Sequence, residues 1–202
     1  MNHRGWLFVM SIVWSGALTF AAGAVERNGD PANHAPAKQA TPYYIEFRAA
    51  RIGTYGHSYV AYGRLNARGE PANHHYTDRH PIGNYALMAL GHVLPVPANA
   101  KWDPEVLTLP ISSSYRHKLT AAQYQNLVKA VKRAEAEKAP TWNALTNNCN
   151  HYVASLARAA GLKAPYNLQL SWEFVPTLRE LNEGEATGAI ARKRAGSAPP
   201  AR

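Results

Sequence analysis

The chain has 202 residues, 46% of them hydrophobic, with one cysteine and a formal net charge of +9 at pH 7. A single cysteine excludes an intramolecular disulfide scaffold, and the lack of internal repeats or heptads excludes solenoids and coiled coils. The basic balance points to anionic partners such as cell-wall polymers or lipid headgroups; nucleic acid is not expected, because aromatic and basic residues do not alternate as in proteins that track a strand.

In chain order, Arg4 precedes an apolar run from Trp6 to Phe20 that ends in Ala22-Gly23-Ala24, the small-x-small pattern of a secretory cleavage site. Residues 1–24 read as a cleaved signal peptide, which places the mature protein in the periplasm or outside the cell. The run is shorter than the ~20 residues of a spanning helix and contains Ser11, Ser15 and Thr19, so an uncleaved anchor is the weaker reading. Residues 25–42, with Asn28-Gly29-Asp30-Pro31 and few bulky apolar side chains, form a flexible spacer.

A single domain is expected over 43–182, large enough to hold a core without disulfides. Residues 43–49 and 57–63 are short, aromatic and β-branched, and read as strands. Asn66-Ala67-Arg68-Gly69 reads as a hairpin turn returning the chain as a strand over 70–80, and 105–111 reads as a further strand. The spacing predicts a helix over 120–138, opened by a Thr120/Gln123 capping box and a Leu119/Tyr124 staple and closed before Pro140. A second helix begins near Cys149, carries Val153, Leu156 and Ala160 on the cysteine's face, and stops at Gly161. Alternation of Leu168, Leu170, Trp172 and Phe174 predicts an extended segment, and Pro176 opens a short helix through Leu181. Residues 183–202, rich in Gly and Pro and without aromatics, form a disordered basic tail. Strands early and helices late predict an α+β fold, a small antiparallel sheet packed against segregated helices.

Cys149 lies in Thr146-Asn147-Asn148-Cys149-Asn150-His151, where a polar loop gives way to a helical pattern. Asn147 or Asn148 caps the helix, so the thiol falls in its first turn, beside unpaired N–H donors and the positive end of the dipole. Both favour the thiolate, the species that attacks a carbonyl. A solitary cysteine is more often a small buried apolar residue, yet in an oxidising compartment a lone thiol is either inert or used. Nine histidines offer a base. His3 leaves with the leader, His151 faces away from Cys149 on the same helix, and His92 and His117 lie in or beside loops. His57 opens an apolar strand after Gly56, a position suited to a general base.

Together, Gly56-His57-Ser58-Tyr59-Val60-Ala61-Tyr62-Gly63 and the later Asn148-Cys149-Asn150-His151-Tyr152-Val153 resemble the circularly permuted branch of the papain-like NlpC/P60 superfamily. That branch includes the lecithin:retinol acyltransferase-like proteins, in which a strand histidine precedes a helix N-terminal cysteine in an Asn-Cys-x-His-Phe-Val pattern. The resemblance implies a permuted papain-like fold, Cys149 as nucleophile, His57 as base, and a third polar residue on the next strand that orients the imidazole. A hairpin turning at 66–69 sets His57 opposite 75–80, a window holding His75, Asp78 and His80. The family's offset, same-face partner corresponds to His75. Asn150 departs from the family's acidic residue and Tyr152 from its Phe. The implied activity is amide hydrolysis, with cell-wall peptide as the first substrate; acyl transfer, or deacylation of a lipid or ester, comes second. No cofactor or metal is implied, and a monomer is expected.

Two rivals belong to other classes. His74, His75, His80 and Asp78 contain zinc-ligand chemistry, although adjacent strand residues such as His74 and His75 point to opposite faces. The other rival is a non-catalytic domain that binds a ligand or partner.

Overall fold

The computed structural model describes residues 41–99 and 101–184, all within one compact unit. The expected signal peptide, residues 25–40 of the spacer and residues 185–202 of the tail lie outside the described residues. No helix among the described residues is long and apolar enough to cross a membrane.

Strands β1 (Tyr43–Ala50) and β2 (His57–Arg64) pair antiparallel from Tyr43↔Arg64 to Ala50↔His57. Both are buried along nearly their whole length, which their Tyr, Phe, Ile and Val content permits on either face. Strand β3 (His75–Asp78) adds to β2. The expected return strand over 70–80 is thus only four residues long. A short helix α1 (Tyr85–Leu90) and strand β4 (Val96–Pro97) follow, then a 3₁₀ turn (Pro104–Thr108) where 105–111 reads as a strand. Asp103 caps that turn by accepting the Glu105 N–H, and Pro104 supplies a pre-set φ at its first position, so local capping overrides the β-branched content. The strand itself, β5 (Ile111–Leu119), begins later and pairs with β1. The main sheet is four-stranded and antiparallel, in the order β3-β2-β1-β5.

Helix α2 (Ala121–Glu135) opens with the Thr120/Gln123 capping box, both of its hydrogen bonds formed, and buries Leu127 and Val131. Strand β6 (Thr141–Trp142) pairs with β4. Helix α3 (Cys149–Ala159) buries Val153 and Leu156 as its stripe predicts, and Asn150, Tyr152, Ala154 and Ala157 as well, because sheet and neighbouring helices surround it. The chain over 168–174 is not extended: helix α4 (Ser171–Glu183) begins there. Ser171, Phe174, Val175 and Leu178 are its buried residues, a spacing of three, one and three that a helix face requires and a strand does not. Pro176 stands inside this helix rather than in its first turn.

The described residues are therefore α+β, with a small antiparallel sheet and four helices among them. The main core, including Ile45, Phe47, Val60, Leu127, Val153 and Phe174, joins one face of the sheet to α2, α3 and α4. On the other face, Ala50, Tyr59 and Val106 form a smaller cluster flanked by Tyr76, Trp102 and Leu109. The start of β2 and the start of α3 meet at the end of the sheet between these two layers.

Candidate active site

Cys149 is the first residue of α3, behind Asn148, whose side chain accepts the His151 N–H at 3.0 Å. That cap satisfies one orphan donor of the helix and leaves the N–H groups of Cys149 and Asn150 ahead of the first intrahelical acceptor. His57 opens β2 and is 7% exposed. Burial opposes charging the imidazole, but hydrogen bonding to Asp78 and to Cys149, and the charge on each, outweigh it and push its pKa up to about 9. Burial likewise disfavours the Cys149 thiolate; hydrogen bonding and charge from His57, with hydrogen bonds from Ser58, bring the thiol down to about 7. Both shifts run in the direction that favours imidazolium and thiolate together.

Asp78 holds the far side of the imidazole. His57 Nε2 donates to Asp78 Oδ2 at 3.0 Å, which leaves Nδ1 for the sulfur. The same carboxylate oxygen accepts from His80 Nδ1 at 2.6 Å, and Oδ1 accepts from Asn99 Nδ2 at 2.8 Å. Burial would raise this acid, yet the hydrogen bonds and charges of the two histidines hold it at about 2.

His75 is not part of this group. It lies opposite Tyr62, exposed, with its ring against Tyr62 and Nε2 3.3 Å from Asn73 Nδ2. The reason is a one-residue register shift. Near the turn Leu65 pairs with Pro71, a register that would place His75 on the face of His57; further on, Tyr62 pairs with His75 and Tyr59 with Asp78. Asn73 takes up the extra residue: its side chain accepts the Arg64 N–H at 2.8 Å, and its carbonyl lies where any Cβ on Gly63 would stand. Since side chains alternate along a strand, this one step turns His75 toward the helical side and Asp78 toward His57.

Three further residues, none given a role by the sequence, complete the arrangement. Asn150, 2% exposed, accepts from Ser58 Oγ at 2.8 Å and donates to Gln169 O at 2.7 Å and Asn167 O at 3.3 Å. It thereby ties the start of α3 to β2 and to the segment entering α4. Asn99 lies in an irregular segment 21 residues from Asp78, and no local pattern marks it. Ser171 Oγ stands 3.8 Å from Cys149 Sγ. The signal available for Asn150 was the departure from the family's acidic residue.

In front of Cys149 and His57 opens a cavity of about 390 Å³, walled by Ile52, Tyr55, Met88, Val106, Leu109 and Trp142. Gly56 forms its edge at φ 70°, where a Cβ would lie 2.9 Å from Ala50 O and 3.0 Å from Trp172, so a side chain here has neither the conformation nor the room.

The histidines proposed for zinc are not brought together: His74 Nδ1 lies 2.7 Å from Tyr44 OH, and His75 points elsewhere. The potential ligand set among the described residues is instead His57, Asp78 and His80, whose donor atoms lie within 4.8 Å of one another. In the geometry present, Asp78 Oδ2 accepts both imidazole N–H groups. Compared with known proteins, the chain matches no family model, no curated protein and no solved structure.

Proposed function

We propose that this protein is an exported cysteine hydrolase of permuted papain-like type, cleaving an amide through a covalent acyl-enzyme. The observation that carries the reading is a Cys–His–Asp series, Cys149 to His57 to Asp78, at the mouth of a cavity, with the thiol lowered and the imidazole raised in pKa. The Cys149 thiolate attacks the carbonyl carbon, and the N–H groups of Cys149 and Asn150 receive the developing oxyanion. His57, held by Asp78, gives its Nδ1 proton to the leaving amine. It then takes a proton from water, which hydrolyses the thioester and restores the thiolate. The apolar cavity wall favours a second reading, transfer or hydrolysis of a lipid or ester acyl group by the same steps. Cell-wall peptide remains the first amide to try, on export and charge.

The test is to follow reaction of a thiol probe with the folded protein across pH, in wild type and in His57→Ala, and then turnover of cell-wall peptide and of activated esters. Cys149 should react readily with an apparent pKa near 7 in wild type, and later in pH once His57 is gone. Turnover should rise through about 7 and fall through about 9, as first the thiolate forms and then the imidazolium is lost. A thiol that reacts only after denaturation ends the proposal. A reactive thiol with no turnover of any acyl substrate would leave a binding domain.

A further inference from the structure

The cavity in front of Cys149 has a charge character opposite to that of the chain. Among the described residues lining it are two acidic ones, Asp103 and Glu105, and no lysine or arginine, although the protein carries a formal +9. Asp103 Oδ1 accepts the Glu105 N–H at 2.9 Å, while Oδ2 stands 3.8 Å from His80 Nε2. The Glu105 side chain is exposed and enters no ion pair among the described residues. His80 also holds Asp78, so the acid pair is one side chain removed from the system that carries the imidazole. The remaining titratable groups lining the space are Tyr55, His57, His92 and the thiol itself.

Resting on the reading of Cys149 as an accessible nucleophile, we propose that this cavity selects acyl substrates joining a bulky apolar group to a positively charged amine, the amine lying against Asp103 and Glu105. The apolar group fills the space between Ile52, Tyr55, Met88 and Trp142. At physiological ionic strength charges more than about 8 Å away are largely screened, so the basic outer surface governs approach while the two local carboxylates govern the last step. A half-enclosed apolar cleft also screens them less than open water does.

Methanethiosulfonates test this without requiring turnover: the thiolate attacks the reagent's sulfenyl sulfur, a mixed disulfide forms, and methanesulfinate leaves. Rates for the aminoethyl (cationic), sulfonatoethyl (anionic) and methyl (neutral) reagents are measured on the folded protein and divided by the corresponding rates with 2-mercaptoethanol. The cationic reagent should be favoured over the anionic one by on the order of tenfold, and Asp103→Asn with Glu105→Gln should bring the ratio close to one. Asparagine retains the capping oxygen at position 103. A wild-type ratio at or below one, or a ratio unchanged in the double variant, overturns the proposal while a reactive thiol preserves the nucleophile reading. A thiol inert to the neutral reagent as well overturns both.

Discussion

Behind His57 stands a carboxylate, and that choice of partner shapes the chemistry of the sulfur. Asp78 donates no proton of its own; its two histidine neighbours keep it ionised, and it in turn keeps His57 charged and oriented. Replacing Asp78 with Ala should lower kcat/KM on acyl substrates on the order of a hundredfold and shift the alkaline limb of the rate profile to lower pH. His75→Ala should leave both unchanged, because that ring contacts Tyr62 and Asn73 and not the site. Steady-state rates of the two variants across pH decide between them. Cys149 and His57 were readable from sequence because each carries its own local mark, a helix cap and a glycine before an apolar strand. Asp78 was narrowed to a window but not reached, since one irregular residue near Asn73 reverses which side chains face His57, and nothing in the local composition announces it.

Among the elements, α3 is held by its apolar stripe along its length and by Asn150 at its first turn. The amide accepts from Ser58 and donates to two carbonyls, a combination no carboxylate can reproduce. Asn150→Asp, although it restores the acidic residue of the resembling family, should therefore destabilise the fold by about 3 kcal/mol by setting a buried charge against the Gln169 and Asn167 carbonyls. The midpoint of urea unfolding reads this directly; a midpoint equal to wild type would show that the clamp is not needed. Capping chemistry made α2 and α3 legible in the sequence. It also explains a miss, because Asp103 and Pro104 wind a 3₁₀ turn out of residues with strand-like side chains. The entry to α4 was misread for a different reason: Leu168 and Leu170 precede the helix, so the apparent alternation spans a loop and a first turn.

For the molecule as a whole, acid should be the weak side. Asp78 moves from an ordinary 3.8 to about 2 on folding, so it contributes about 2 kcal/mol above pH 4, lost as pH falls through about 2. His57, raised from 6.5 to about 9, stabilises below 6.5 and ceases to do so as pH rises through 9. Cys149, lowered from 9.0 to about 7, works in the opposite sense, stabilising above 9 and losing this as pH falls through 7. Between 7 and 9 the two cancel, so unfolding free energies should be nearly level there and fall in acid. Asp78→Asn should flatten the acid fall, as chemical denaturation at stepped pH would show. The α+β layout was legible because the strands of the main sheet precede α2, α3 and α4 in the chain; the burial of α3 on nearly every side was not, since it follows from where three other elements pack. One consequence of having a single thiol in the chain concerns peroxide. A sulfenic acid formed at Cys149 finds no second thiol among these 202 residues to close upon, so continued oxidant carries it to the sulfinate, which ordinary reductants do not reverse.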